Sequence, residues 1–186
     1  MNIRLTTLLV ASLTFMSFSV FADEASKKLR EVADHLQDIS VTIKADNPNG
    51  YGGSEGSGTM IVREVGGEKI TFVWTAGHVV DHLRTVRTII NEEGQGVKVV
   101  EFSDPTIVKE LVEKGRRVGE MKMDARVIKF SDADNGEDLA LLMVRARDYA
   151  KAGVKFRLEE EDDNIVPIGT RLFHVGSLLG QMGANS

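Results

Sequence analysis

The chain has 186 residues, room for one ordinary domain or two small ones around a sizeable apolar core. With 42% apolar and 27% charged residues it reads as soluble and globular, and its formal charge of −5 argues against a surface built to neutralise nucleic-acid phosphates or to dock on anionic lipid. The absence of cysteine excludes disulfides, a thiol nucleophile and a cysteine-zinc site together.

Residues 1–22 start with the cationic MNIR, run on as the apolar LTTLLVASLTFMSFSVF, and end in VFA ahead of DE. This is the pattern of a secretory signal cleaved after Ala22, with small residues at Val20 and Ala22 where a signal peptidase needs them. An uncleaved membrane anchor is the alternative, since the apolar run nears the lower limit for spanning. Cleavage predicts a periplasmic or secreted protein with no stable membrane insertion.

Residues 23–38 place Leu29, Val32, Ala33 and Leu36 on one helical face, which predicts a short amphipathic N-terminal helix. After it the signals turn to β, over a domain expected to occupy residues 39–186. SVTIKA (40–45) reads as a strand, DNPNGYGGSEGSG (46–58) as a Gly-rich loop, and TMIVRE (59–64) and ITFVWTA (70–76) as strands about the turn VGGEK. RTVRTIIN and VKVVEF flank the turn EEGQG as a hairpin. PTIVKELVEKG (105–115) begins with proline, ends with glycine and carries Ile107, Val108, Leu111 and Val112 between, which predicts a short inserted helix. ARVIKF (125–130), the acidic loop SDADNGED, the apolar run LALLMV (139–144), and late strands VKFRL (154–158) and TRLFHVG (170–176) follow. Many short strands without regular helices between them predict an all-β barrel or sandwich.

Several chemistry-bearing patterns carry little. The loop GGSEGSGT lacks the lysine of a phosphate-cradling loop and precedes a strand, so its expected use is close backbone approach, with Gly58 starting the next strand. His78 and His82 have the spacing of a helical zinc pair. The glutamate that such hydrolases need beside the first histidine is replaced by Val79, and no third ligand is obvious. DADNGED has the acidity of a calcium loop, but its glycine comes one place early and Met143 stands where the closing acid belongs. No metal and no organic cofactor is expected.

Asp138 is more informative. It closes the acidic loop and opens an apolar strand, where an unpaired carboxylate is costly and a histidine is a fitting partner. His78 likewise follows an apolar strand, and a carboxylate on one imidazole nitrogen would fix its tautomer for proton transfer.

Taken in order, EGSGTMIV, WTAGHVV, ARVIKFSDADNGEDLALLMV and VPIGTRLFHVGSLLG resemble the chymotrypsin-like (trypsin-type) serine proteases, and among them the disulfide-free bacterial periplasmic high-temperature-requirement group. The resemblance covers residues 39–186. It implies an all-β, chymotrypsin-like double β-barrel with the first barrel complete and the second truncated, a polypeptide substrate, His78 as general base and Asp138 as its orienting partner. His82 receives no role. The family's G-[DN]-S-G-G nucleophile segment does not occur in the chain, and by the family pattern neither Ser177 in HVGSLLG nor Ser186 in GANS stands in for it. The resemblance therefore implies an exported serine endopeptidase of which this sequence carries the N-terminal part, inactive alone. A catalytically inert, protease-like module that binds polypeptides is the alternative.

Overall fold

The computed structural model describes residue 24 and residues 26–46, 52–146, 153–154, 168–178 and 181–182. The predicted signal at 1–22, all but Val154 of the predicted strand at 154–158, and Ser186 lie outside the described residues. Two units meet at Leu36 and Gln37. In the first, residues 26–36 are helical, as the spacing of Leu29, Val32, Ala33 and Leu36 predicts, and Leu29 and Val32 are exposed.

The second unit opens with the last helical residues, 37–39, and continues as strands: β1 (Ser40–Asp46), β2 (Gly53–Val65), β3 (Glu68–Ala76), β4 (Arg84–Ile90), β5 (Gly96–Phe102), β6 (Thr106–Glu113), β7 (Arg116–Ser131), β8 (Leu139–Val144), and the short β9 (Ser177–Leu178) and β10 (Gln181–Met182). Six of them form an antiparallel sheet that runs β1, β2, β3, β8, β7, β6 and returns to β1, so that every strand of this ring pairs on both sides. β4 and β5 make a separate two-strand sheet, and β9 pairs with β10.

Period-two burial builds the interior. Val41, Ile43 and Ala45 alternate along β1 and are fully buried, and they meet Val73 of β3, Ile107 of β6 and Leu142 of β8. Val79, Val80 and Leu83, on two consecutive 3-10 turns after β3, join the same cluster. Each large side chain taken out of water here contributes about 1.5–3 kcal/mol.

The Gly-rich stretch is half strand: β2 begins at Gly53, well before the predicted start at Thr59. The reason is steric. A Cβ on Gly56 would lie 2.5 Å from Val79 Cγ2, and one on Gly58 would lie 2.5 Å from Val73 Cγ1. These glycines let a strand approach the core where larger residues would push it away, so their composition mimics a loop.

The predicted helix at 105–115 is β6. Pro105 precedes a strand, and Gly115 closes a two-residue hairpin turn, since Lys114 (φ 52°) and Gly115 (φ 73°) both take positive φ and Glu113 pairs with Arg116. Long-range pairing to β1 on one side and β7 on the other overrides a short helical pattern that contains four β-branched residues, Thr106, Ile107, Val108 and Val112. Lys109 of β6 is buried, and its Nζ donates to the carbonyls of Gln37 and, at 3.3 Å, Ser40. Burial pushes its pKa down, against the opposing pull of Asp38 and Glu110. A cation on the carbonyls that end a helix complements the helix dipole.

Residues 170–176 were expected as a strand and are not one. Leu172 and Phe173 are exposed, and only Ser177–Leu178, beyond the predicted segment, pairs with Gln181–Met182. Without an apolar surface to cover, the alternation of TRLFHVG has nothing to hold it extended.

Candidate active site

The register of β3 against β8 makes the site. Ala76 is opposite Leu139, so the residues just past β3 meet the residue just before β8, across 60 positions of sequence. His78 Nδ1 lies 2.8 Å from Asp138 Oδ2, and the backbone N–H of His78 donates to Asp138 Oδ1 at 2.8 Å. A carboxylate held by two donors from one residue cannot swing away without losing both.

The backbone around the pair is tightly specified. A Cβ on Gly77 would stand 2.4 Å from the carbonyl oxygen of Ser131 and 3.2 Å from Asp138 Oδ1, so only glycine fits before the histidine. Asp138 itself sits at φ 51°, an uncommon conformation for a residue other than glycine that aspartate tolerates better than most. The loop ahead of it is tied by its own side chains: Asp132 Oδ1 accepts from the Asn135 N–H at 2.6 Å, and Ser131 Oγ accepts from the Glu137 N–H at 2.9 Å. What the sequence presents as an acidic surface turn is thus the frame that delivers Asp138.

Electrostatics follow from these contacts. The side-chain hydrogen bond from His78, then the bond from its backbone N–H, hold the Asp138 carboxyl below its usual range. An ionised carboxylate can only accept, so Nδ1 carries the proton and Nε2 is left as the basic atom of a neutral ring. The imidazole is two-thirds exposed, whereas the carboxylate is one-third exposed. His78 borders a cavity of about 300 Å³ walled by Asp81, Arg84, Phe130, Asp132 and Asp134. Arg84 sits over the Phe130 ring, 5.4 Å from its centroid, and pairs with Asp81 at 3.3 Å.

His82 is brought to the same cavity but not to His78. The two lie on consecutive 3-10 turns, and His82 Nε2 donates to the carbonyl of Ala45 at 2.5 Å, fastening the turn to β1. Among the described residues no group of three or more potential ligands gathers to hold a metal. The side chain of Ser177 and all of Ser186 lie outside the described residues. Also among the described residues, no helix is long and apolar enough to cross a membrane.

The two residues singled out from the sequence, His78 and Asp138, are therefore in direct contact. Gly77, Ser131 and Asp132, which position them, were not foreseen; a glycine at the end of an apolar strand was the one visible signal. Comparisons of the chain with models of protein families, with curated proteins and with solved structures find no match.

Proposed function

We propose that this chain carries the base half of an exported serine endopeptidase of the chymotrypsin-like type, with the six-strand ring as its first β-barrel. The observation that carries the reading is the His78–Asp138 contact, 2.8 Å at Nδ1 with a second bond from the same backbone. In this reading His78 Nε2 accepts the proton of a serine hydroxyl as its oxygen attacks a peptide carbonyl carbon. The proton then passes to the departing amine nitrogen as the C–N bond breaks, and water repeats the sequence on the acyl-enzyme. Asp138 remains ionised throughout and stabilises the imidazolium. No metal or organic cofactor takes part, and the setting is the periplasm or the extracellular space.

The 186 residues contain no G-[DN]-S-G-G segment, so the proposal assigns the nucleophile to none of the serines in this sequence. That same observation favours a second reading, a catalytically inert module that binds polypeptides. One experiment separates them: expression of the reading frame with all coding sequence that follows Ser186, treatment with a fluorophosphonate, and assay on unfolded casein. The peptidase reading expects one labelled serine, casein cleavage, and a fall in kcat of about 10⁴-fold or more in His78→Ala. Absence of both labelling and cleavage in the folded wild-type protein overturns it in favour of the inert module.

A further inference from the structure

Beside the cavity at His78, and sharing Arg84 and Phe130 with it, lies a groove of about 390 Å³ between the β4–β5 hairpin and β7. Its floor is apolar, formed by Val100 and Phe102 of β5 with Val127, Ile128 and Phe130 of β7. Val100 is 52% exposed, and its cross-strand partner Val86, 54% exposed, extends the apolar strip along the hairpin. Such a face on a two-strand sheet is not what a hairpin needs in water.

The charged side chains that line it are of one sign, although Asp81, Asp132 and Asp134 wall the neighbouring cavity. Arg84 and Lys129 line the groove, and Lys98 lies two residues from Val100 on the same face of β5, whereas no acidic side chain lines it. This occurs in a chain whose acids outnumber its bases 28 to 23. Arg84 is engaged by Asp81, but neither Lys98 nor Lys129 has an acidic partner among the described residues. The backbone on one wall is open as well. β6 covers β7 only as far as Asp124, and from Arg126 to Ser131 β7 has β8 alone as its strand partner, with a register break at Ile128.

We propose that this groove docks an extended segment of another polypeptide carrying a carboxylate side chain close to a large apolar one. The open edge of β7 pairs with the segment's backbone, the Val100–Phe130 floor takes its apolar side chain, and Lys98 and Lys129 take its carboxylate. A small apolar anion would leave the strand edge unused, and nucleic acid would leave the apolar floor unused. The inference goes beyond the peptidase reading and holds whether or not His78 is a catalytic residue.

The test uses the full 186-residue chain and two fluorescein-labelled peptides, one alternating valine with glutamate and one alternating valine with lysine, titrated by fluorescence anisotropy. The glutamate peptide is expected to bind about tenfold tighter or more, and to weaken as salt screens the lysines. Lys98→Glu with Lys129→Glu should reverse the preference, and Val100→Asp should weaken the glutamate peptide at least about tenfold. Val118→Asp changes an exposed valine of β7 outside the groove and should leave binding unchanged, with circular dichroism confirming that every variant is folded. Equal binding of the two peptides, binding indifferent to these substitutions, or no binding by the wild-type chain overturns the proposal. Sedimentation showing a dimer that Val100→Asp abolishes, with no peptide bound, overturns it in favour of a second copy of the chain.

Discussion

The strand pairs β3–β8 and β4–β5 are alike in sequence and opposite in circumstance. Both are antiparallel and rich in apolar residues, yet Val73 and Leu142 of the first are wholly buried while every residue of β4 is exposed and Val100 of β5 is half so. The difference lies in neighbours. β3 and β8 each have a strand on both sides and the ring interior beneath them, whereas β4 has only β5. The end of the first pair can therefore hold His78 against Asp138 in one geometry. The second can shift to fit whatever lies beside it, because few contacts are lost when it does.

The largest effect that tests this contrast is a truncation in each pair. Leu142→Ala should cost about 2–5 kcal/mol, because the interior relaxes only in part around the space left. Val100→Ala should change stability by less than about 0.5 kcal/mol. Urea unfolding followed by fluorescence of the single tryptophan, Trp74 on β3, measures both, and equal losses would break the comparison.

A smaller effect is expected where the backbone, not a large side chain, is specified. Gly77→Ala forces a Cβ onto the Ser131 carbonyl and should cost about 1–3 kcal/mol through local displacement. The same displacement should remove the downfield NMR resonance of the His78 Nδ1 proton, which the wild type should show. A retained resonance would mean that the end of β3–β8 is looser than its contacts imply.

Acid titration sharpens the comparison further. Asp138 has its carboxyl held below the unfolded value by hydrogen bonds from His78. A depressed carboxyl contributes stability that is complete above its unfolded pKa, about 3.9, and is lost as pH falls through the lower folded one. Wild type should therefore lose more stability than Asp138→Asn as pH drops below about 4. Parallel pH profiles for the two proteins would show that the contact adds nothing to folding.

How much of this was legible from the chain differs by level. The β4–β5 hairpin could be read because its turn residues and β-branched runs are local, and the helix before β1 because its face repeats. The early start of β2 could not, since Gly56 and Gly58 answer to Val79 and Val73, which lie far along the sequence. His78 and Asp138 could be named as partners from the residue types and their contexts. The means of bringing them together, the Ala76–Leu139 register and the Asp132 and Ser131 bonds within the acidic loop, are tertiary facts with no local signature.

The turn after β6 offers the smallest effect and the most discriminating sign. Proline at the start and glycine at the end of residues 105–115 suit a helix as well as a strand that ends in a tight turn. In the hairpin, Lys114 occupies positive φ, which costs an ordinary L-residue about 1–2 kcal/mol, and which asparagine tolerates better. Lys114→Asn should therefore raise stability by about 0.5–1 kcal/mol, given the order of that strain. On a helix the same change would lower stability by a few tenths of a kcal/mol, because asparagine is the poorer helix former. A destabilised Lys114→Asn would thus put β6 itself in question, and with it the strand that carries the sheet from β7 back to β1.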